Sequence, residues 1–416
     1  MRTVFKNAMV FREKGFEKVD IAIENKKLVV PFNWKFADLE KDNIFDFQGK
    51  IILPGLVDVH VHFREPGFFY KESIKTGSEA AAAGGFTAVC TMPNLKPPPS
   101  DLNSLKKQLD IIEKDSAIRI YPFGAITADQ SGRGDLSKMK AMAPFVAGFS
   151  DDGLGVQHRV TMKEAMVQVA SLDKIISAHC EDETLNQIPY KGTTRESESE
   201  QAKRDMELSK ETGCKYHICH VSAKETLESV RKAKVAGVDV TCETAPHYAV
   251  FSTDTIRKEG RFKMNPPIKD EADRQAIVEA LKDGTIDMIA TDHAPHSLEE
   301  KSRGFENSAF GIVGLETSFA VMYTEFVDRG IISLERLVEL MALAPRKRFD
   351  LPGGPVETGQ IGDITVIDLE EEWIVDSSKF KTKGRATPFE GIKLKGRVLA
   401  TFVEGKPVYM RGDISK

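Results

Sequence analysis

The middle of the chain repeats one pattern, in which a short apolar segment typical of a β-strand is followed by a segment with helical periodicity. The first of these strands contains residues 58–62. The other seven are predicted at 85–92, 117–124, 146–150, 174–179, 215–221, 237–243 and 286–291. Eight strands that alternate with helices predict an α/β fold of the (β/α)8 barrel type, with functional residues at the carboxyl ends of the strands.

Both ends of the chain differ from this middle part. Short strand patterns at 19–23 and 27–30 precede it, and further strand patterns at 363–367, 397–403 and 407–409 follow it. Strands from two chain ends can pair into one sheet domain. We therefore predict that residues 54–353 form the barrel, and that residues 1–53 together with 354–416 form a small composite β-sandwich domain.

Composition excludes several classes of protein. The 58 basic and 63 acidic residues leave a net charge of −5, too balanced for a polyanion partner such as nucleic acid. No apolar stretch approaches the roughly 18 residues of a membrane span, and no apolar signal segment follows Met1. The five cysteines are odd in number and form no C-x-x-C pair, which favours free buried thiols. We expect a cytoplasmic protein without nucleic-acid or membrane partners.

Polar residues cluster where the predicted strands end. Successive side chains alternate along a strand, so Asp58, His60 and His62 share one face. Six of the nine histidines lie at strand ends, a distribution that random placement rarely produces. The strand-end residues are His60, His62, Arg64, Asn94, Asp151, Asp152, His179, His220, Asp292, His293 and His296, and Asn265 follows the seventh strand at a greater distance.

Four histidines and two aspartates at one barrel mouth suit two divalent ions of the zinc type. Such ions lower the pKa of a bridging water and polarise a carbonyl, which favours hydrolysis of a C–N or ester bond. The competing interpretation, hydrogen-bonded core histidines, weakens as more potential ligands converge. His220 lies nearer the active end than His217, and Asp58 lies deeper, as a buried supporting residue. Strand periodicity does not choose between Asp151 and Asp152.

Several motifs together resemble one family. They are DVHVHFREPG (58–67), TMPN (91–94), AHCED (178–182), HICHVS (217–222), ATDHAPH (290–296), FGIVGLET (310–317) and TPFEG (387–391). This combination resembles dihydroorotase of the longer bacterial type, in the amidohydrolase superfamily, over nearly the whole chain. The resemblance implies reversible hydrolysis of L-dihydroorotate to N-carbamoyl-L-aspartate in de novo pyrimidine (UMP) synthesis.

The resemblance also implies roles for individual residues. His60, His62 and Asp292 correspond to ligands of a first metal, and His179 and His220 to those of a second. Many relatives bridge the two metals with a carbamylated lysine, which residues 146–153 lack; the chain resembles instead the subgroup with an aspartate there, matching Asp152. For the substrate, the resemblance implies a set of six residues: Arg64, Asn94, Asn265, His296, Phe310 and Gly311.

The mechanism implied by the resemblance is attack of metal-activated hydroxide on the ring amide, with Asp292 accepting the proton and delivering it to the leaving nitrogen. Zinc is the expected cofactor, as one or two ions per subunit, although manganese or cobalt suits the same ligands. A homodimer and an association with aspartate transcarbamoylase are the expected partners. The alternatives are another cyclic amidase (an allantoinase or dihydropyrimidinase) and an inactive homologue that only binds aspartate transcarbamoylase.

Overall fold

A computed structural model describes residues 2–186 and 192–412 of the chain. The strands are β1 (Thr3–Lys6), β2 (Met9–Arg12), β3 (Gly15–Lys18), β4 (Ile21–Glu24), β5 (Lys27–Val29), β6 (Asn43–Asp46), β7 (Ile51–Pro54), β8 (Leu56–Val61), β9 (Phe86–Thr91), β10 (Arg119–Pro122), β11 (Gly124–Ala125), β12 (Phe149–Ser150), β13 (Ile175–Ala178), β14 (Lys215–Ile218), β15 (Val240–Thr244), β16 (Met288–Ile289), β17 (Ile364–Ile374), β18 (Lys393–Val403) and β19 (Lys406–Met410).

The α-helices alternate with the strands of the middle region and form its outer layer. They are α1 (Ile74–Ala83), α2 (Leu102–Asp115), α3 (Met139–Met142), α4 (Arg159–Ser171), α5 (Arg195–Thr212), α6 (Lys224–Val235), α7 (Pro246–Val250), α8 (Glu271–Asp283), α9 (Leu298–Lys301), α10 (Gly304–Asn307), α11 (Ser318–Met322), α12 (Leu334–Val338) and α13 (Ala344–Phe349).

The parallel strands of the middle region close into a barrel. Strands β8 to β10 pair in the order β10-β9-β8, and β11 to β16 pair in sequence order. Strands β10 and β11 are two halves of one strand interrupted at Phe123, which leaves eight strand positions. The N–H of His62 donates to the carbonyl of His293 at 2.8 Å and joins β8 to the chain after β16. The predicted (β/α)8 fold is confirmed.

Each predicted barrel strand overlaps an observed strand, but two of the observed strands are much shorter than predicted. Strands β12 and β16 have two residues each, because the chain leaves the extended conformation early to form the loops that carry Asp152 and Asp292. Helices α1 and α2 follow the first two barrel strands, β8 and β9. Ser73 and Asp101 begin them with capping boxes that satisfy the first backbone N–H groups.

Strands from both ends of the chain share one sheet. Its six strands have the order β19-β18-β17-β7-β2-β3, and a second sheet has the order β5-β4-β1-β6. The two sheets pack face to face, with the Phe5 and Phe402 rings 4.9 Å apart and nearly perpendicular. The predicted composite β-sandwich is therefore observed in the fold. Its predicted boundaries at 53/54 and 353/354 stay a proposal, supported by the pairing of β7 with β17.

Sequence patterns identified only part of the amino-terminal sheet strands. Strands β4 and β5 were expected, whereas β1, β2, β3 and β6 have four residues each, too few for a clear alternation. Among the helices of residues 2–186 and 192–412, none has both the length and the apolar composition needed to cross a bilayer.

Candidate metal centre and substrate cavity

The carboxyl ends of the barrel strands bring the six predicted metal ligands into one cluster. Each ligand lies at the end of its strand or within three residues of that end, and each side chain is buried. The ligands and their strands are His60 and His62 (β8), Asp152 (β12), His179 (β13), His220 (β14) and Asp292 (β16).

Asp152 stands at the centre of this cluster. Its two carboxylate oxygens lie 3.3 Å from His60 Nε2 and 3.3 Å from His62 Nε2. Asp292 Oδ1 lies 3.1 Å from His62 Nε2 and 3.6 Å from His60 Nε2. Ligand atoms bound at about 2.0–2.1 Å in a tetrahedron around zinc lie about 3.3 Å from one another. The spacing of these nitrogens and oxygens therefore fits a shared divalent ion.

The unsatisfied atoms in the cluster support the same conclusion. His60 Nε2 and Asp152 Oδ1 are buried and have no hydrogen-bond partner among the described residues. Unpaired buried polar atoms are costly, and two that face one another across 3.3 Å are explained if a cation lies between them. These residues thus fit a metal, with His60, His62 and Asp292 as one group and His60, Asp152 and His220 as another.

His179 completes the second group. Its Nδ1 lies 2.9 Å from His220 Nε2 and 3.9 Å from Asp152 Oδ1, so three potential ligands meet beside the first group. Two imidazole nitrogens at 2.9 Å cannot both carry a proton that points at the other. A cation between them is consistent with both offering lone pairs.

The structure distinguishes the two neighbouring aspartates that periodicity left open. Asp151 accepts hydrogen bonds from the backbone N–H groups of Ile126, Thr127 and Gly132, and its carboxylate holds the loop after β11. Burial raises the pKa of Asp151 to about 6 despite these bonds. Asp152 alone reaches the histidines, which supports the role that the family resemblance implied for it.

All six predicted substrate residues line one cavity above the ligand cluster. The cavity has a volume of about 270 Å³, and its wall also includes five of the six ligands, while His60 lies beneath it. The substrate residues are Arg64, Asn94, Asn265, His296, Phe310 and Gly311. Asn94 accepts a hydrogen bond from His62 Nδ1 at 2.8 Å, which leaves His62 Nε2 free for the cluster.

Arg64 is the main positive group of the cavity. Its side chain is buried, with 8% of the residue exposed, and no carboxylate among the described residues lies within 4 Å of its guanidinium. Instead Nε donates to the carbonyl of Pro295 at 3.3 Å, and Nη2 lies 3.4 Å from His296 Nε2. Burial lowers the pKa of Arg64 to about 10, so the group stays charged at neutral pH. A buried unpaired guanidinium is suited to an anionic ligand.

Sequence reasoning missed the carboxylate that supports the ligands from below. Glu243, in β15, accepts from His60 Nδ1 at 2.7 Å, from His217 Nε2 at 3.1 Å and from the N–H of His220 at 3.3 Å. Burial raises the pKa of Glu243, but the two imidazoles outweigh burial and lower it to about 2. The bond to His60 fixes its Nδ1 as the protonated nitrogen and directs Nε2 at the cluster. The available signal was a glutamate at the end of a predicted strand.

A second supporting carboxylate was also missed. Glu181 Oε2 lies 2.7 Å from His179 Nε2 and accepts from Asn265 Nδ2 at 2.9 Å. Burial raises the pKa of Glu181, and the bond from His179 more than compensates, so that the pKa falls to about 2. Glu181 therefore links one ligand to one substrate residue. The AHCED motif contains Glu181, but the sequence does not indicate which residues its carboxylate contacts.

Backbone conformation is unusual at the site. Arg64, His220 and Asp292 have positive φ angles of 60°, 34° and 48°. Non-glycine residues adopt this region at a cost of order 1–3 kcal/mol, and such residues concentrate at functional sites.

The remaining histidines and Asp58 have supporting positions. Asp58 accepts from the backbone N–H groups of His60 and Thr291 and tethers β8 to the end of β16. His217 contacts Glu243, as expected for a residue behind the ligands. His158 is exposed, and His247 is buried with its Nε2 unpaired among the described residues.

Comparison with known proteins identifies sequence relatives of the chain. A family model described as Dihydro-orotase-like matches residues 49–226. The chain is 46% identical over 421 residues to a dihydroorotase of Fusobacterium nucleatum, covering 98% of each chain. It is 43% identical over 420 residues to a dihydroorotase of Enterococcus faecalis, covering 97% of this chain and 98% of the other.

Solved structures support the fold. The L-hydantoinase (dihydropyrimidinase) of Arthrobacter aurescens matches with a TM-score of 0.89 at 26% identity, covering 100% of this chain and 97% of that one. The dihydropyrimidinase of Brevibacillus agri matches with a TM-score of 0.86 at 20% identity, covering 100% and 96%, a likeness of fold alone. Because the sequence relatives exceed 40% identity over nearly the full length of both chains, the chain belongs to the dihydroorotase family.

Proposed function

We propose that this chain is a metal-dependent dihydroorotase, which reversibly hydrolyses the cyclic amide of L-dihydroorotate to N-carbamoyl-L-aspartate in de novo pyrimidine (UMP) synthesis. The observation that carries the proposal is the buried, unpaired Arg64 guanidinium beside a ligand cluster in a cavity of about 270 Å³. A small ring that bears one carboxylate matches both the size of the cavity and its charge.

The proposed cofactor is Zn²⁺, as one or two ions. His60, His62 and Asp292 would hold one ion, His179 and His220 a second, and Asp152 would bridge them. When bound, zinc activates water as a nucleophile at neutral pH and polarises a carbonyl. The spacing near 3.3 Å between ligand atoms and the unpaired atoms of His60 and Asp152 support this assignment.

The protein's own residues orient the substrate and move the proton. Arg64 and His296 would hold the substrate carboxylate, with the Asn94 amide group beside them. Asn265, fixed by Glu181 and by the N–H of Thr193 at 2.8 Å, would meet the ring together with the backbone near Phe310 and Gly311. Asp292 would take the proton from the attacking water and deliver it to the leaving ring nitrogen.

Asp292 is suited to this proton transfer. Burial raises the pKa of Asp292, but the bond from His62 and the charges of the neighbouring histidines lower it, so the carboxylate is ionised and accepts a proton only transiently. Its side chain lines the cavity that the substrate would occupy. Microscopic reversibility requires the same carboxylate to act in ring closure.

Arg64→Gln tests the proposal. Loss of the guanidinium is expected to raise KM for L-dihydroorotate by about 100-fold, in the range of a charge-assisted hydrogen-bond pair, while the metal content measured by elemental analysis stays at the wild-type level. Arg133→Gln is the matched control, because Arg133 is exposed and, within residues 2–186 and 192–412, its guanidinium pairs with Glu183 alone. An unchanged KM in Arg64→Gln would contradict the proposal.

The same preparations separate the alternatives. Turnover of hydantoin or dihydrouracil without turnover of L-dihydroorotate would indicate a cyclic amidase for neutral rings. Protein that retains no metal and gains no activity on adding zinc would indicate an inactive homologue that acts only as a partner of aspartate transcarbamoylase.

We further propose that the protein acts in the cytoplasm and forms a homodimer, and that it associates with aspartate transcarbamoylase. The five buried, unpaired cysteines suit a reducing compartment. Two-fold homodimers are the commonest soluble oligomers. Light scattering of the purified protein, alone and mixed with the transcarbamoylase, tests both associations.

A further inference from the structure

A lysine that no sequence pattern had marked lies at the edge of the substrate cavity. Lys71 follows β8 in the loop that leads to α1, and its side chain is largely buried, with 15% exposed. Its Nζ lies 3.0 Å from Glu300 Oε1 and 3.3 Å from Nδ1 of the cavity residue His296. Lys71 is therefore a second cation, beside Arg64, at the end of the cavity that contains His296.

Glu300, in α9, fixes the position of this lysine. Its Oε2 accepts from the N–H of Ser297 at 3.0 Å and lies 3.1 Å from His296 Nδ1, while Oε1 accepts from the Tyr70 hydroxyl at 3.3 Å. Partial burial raises the pKa of Glu300, and its bonds with Lys71 and Ser297 outweigh burial and lower the pKa to about 2. Glu300 is thus an ionised anchor for Lys71.

The charged groups that act on His296 are Arg64, Lys71 and Glu300, and together they carry one positive charge. Arg64 and Lys71 are cations, Glu300 is an anion, and His296 is neutral because burial and the two cations lower its pKa to about 3. The nearby carboxylates of Asp152 and Asp292 belong to the proposed metal ligands, whose charge a divalent ion offsets. Without Lys71, Glu300 would offset the charge of Arg64 around His296 and weaken the attraction for an anion.

We propose that Lys71 determines specificity by supplying the positive charge that selects an anionic cyclic amide over a neutral one, and that Glu300 holds Lys71 in place. This inference rests on the proposed function, which assigns Arg64 and His296 to the substrate carboxylate. It adds a specificity residue outside the metal cluster and outside the wall of the cavity.

Two substitutions with opposite charge effects test the inference. Lys71→Gln is expected to raise KM for L-dihydroorotate about tenfold, with kcat within about twofold of wild type, because a screened charge interaction is lost from binding. Glu300→Gln removes the opposing charge but keeps an amide oxygen that can accept from Lys71, and it is expected to leave KM unchanged or to lower it. Lys71→Arg keeps the charge and is expected to retain a KM within about threefold of wild type.

Lys383→Gln is the matched control, because Lys383 donates at 2.6 Å to the carbonyl of Phe69, two residues before Lys71, and has no hydrogen bond to His296 in the described part of the chain. An unchanged KM in Lys71→Gln would overturn the inference. An equal rise of KM in Lys71→Gln and Glu300→Gln would also overturn it, since the pair would then only orient His296.

Binding of orotate, measured by calorimetry on the same metal-loaded variants, separates this inference from the proposed function. Wild-type protein without turnover of L-dihydroorotate would contradict the proposed function alone. Orotate would still report on Lys71: an approximately tenfold weaker Kd in Lys71→Gln supports its role, and an equal Kd contradicts it. If Lys71→Gln does not fold, Lys71→Arg and Glu300→Gln are compared with wild type instead. An orotate Kd near that of wild type in both variants supports the role of the charge, and a similarly weakened Kd in both contradicts it.

Discussion

Replacement of Glu243 by glutamine is expected to weaken metal binding without removing any ligand. Glu243 accepts hydrogen bonds at 2.7 Å from His60 and at 3.1 Å from His217. Glutamine preserves the shape and one acceptor, but it removes the charge that makes His60 Nε2 more basic. A hydrogen bond to a charged group contributes about 1.5–3 kcal/mol and a neutral one about 0.5–1.5 kcal/mol, so the His60 bond loses about 1–1.5 kcal/mol.

That loss corresponds to a metal affinity roughly tenfold lower, and the weaker bond to His217 extends the expected range toward 100-fold. Competition with a chelating indicator on Glu243→Gln and wild type measures the dissociation constant. Activity is expected to recover at saturating zinc, because all six proposed ligands remain.

Asp205→Asn is the matched control, because Asp205 is equally buried but bonds to Tyr216 and Arg204, away from the ligands. It is expected to lower the free energy of unfolding while leaving the metal dissociation constant unchanged. A dissociation constant for Glu243→Gln within twofold of wild type would refute the reasoning that this carboxylate tunes His60.

Two further predictions concern the proposed ligand Asp152 and two aspartates beside the ligands, Asp151 and Asp58. Asp152→Asn is expected to lower the amount of bound metal and to reduce the rate by more than about 100-fold. Asp151→Asn is expected to retain the metal and to lower the free energy of unfolding. Elemental analysis measures the metal content and urea unfolding the stability, and the reverse pattern would exchange the roles of the two aspartates. Burial raises the pKa of Asp58 from 3.8 to about 7, so the folded state binds one more proton than the unfolded state between these pH values. The contribution of protonated Asp58 to the free energy of unfolding is therefore present below pH 4 and is lost as the pH rises to 7. Asp58→Asn is expected to flatten this part of the pH profile, measured by urea unfolding at pH 5 and pH 8, and an unchanged slope would contradict the assignment.

The barrel and most of the candidate site follow from local patterns in the sequence. The alternation of side chains along β8 placed His60 and His62 on one face, and their ring centroids lie 5.3 Å apart. Because parallel strands end at one edge, His179 and His220 could be expected near them, and they lie in the same cluster. Strand order and strand ends thus carry most of the information about the site.

Other parts of the site depend on contacts between distant residues. Glu243 bonds to a histidine 183 positions away, and no local pattern reports such a contact. The choice between Asp151 and Asp152 depends on which backbone N–H groups surround each carboxylate, and these come from the loop after β11. The short strands β12 and β16 reflect chain turns at positive φ near the site, which strand propensity does not indicate.

The most direct test is the steady-state rate of purified, zinc-loaded wild-type protein in both directions, with L-dihydroorotate and with N-carbamoyl-L-aspartate, beside hydantoin and dihydrouracil. The account predicts turnover of both carboxylate-bearing compounds, loss of that turnover when a chelator removes the metal, and a far lower kcat/KM for the two neutral rings. Equal or faster hydrolysis of the neutral rings, or full activity of metal-free protein, would contradict it.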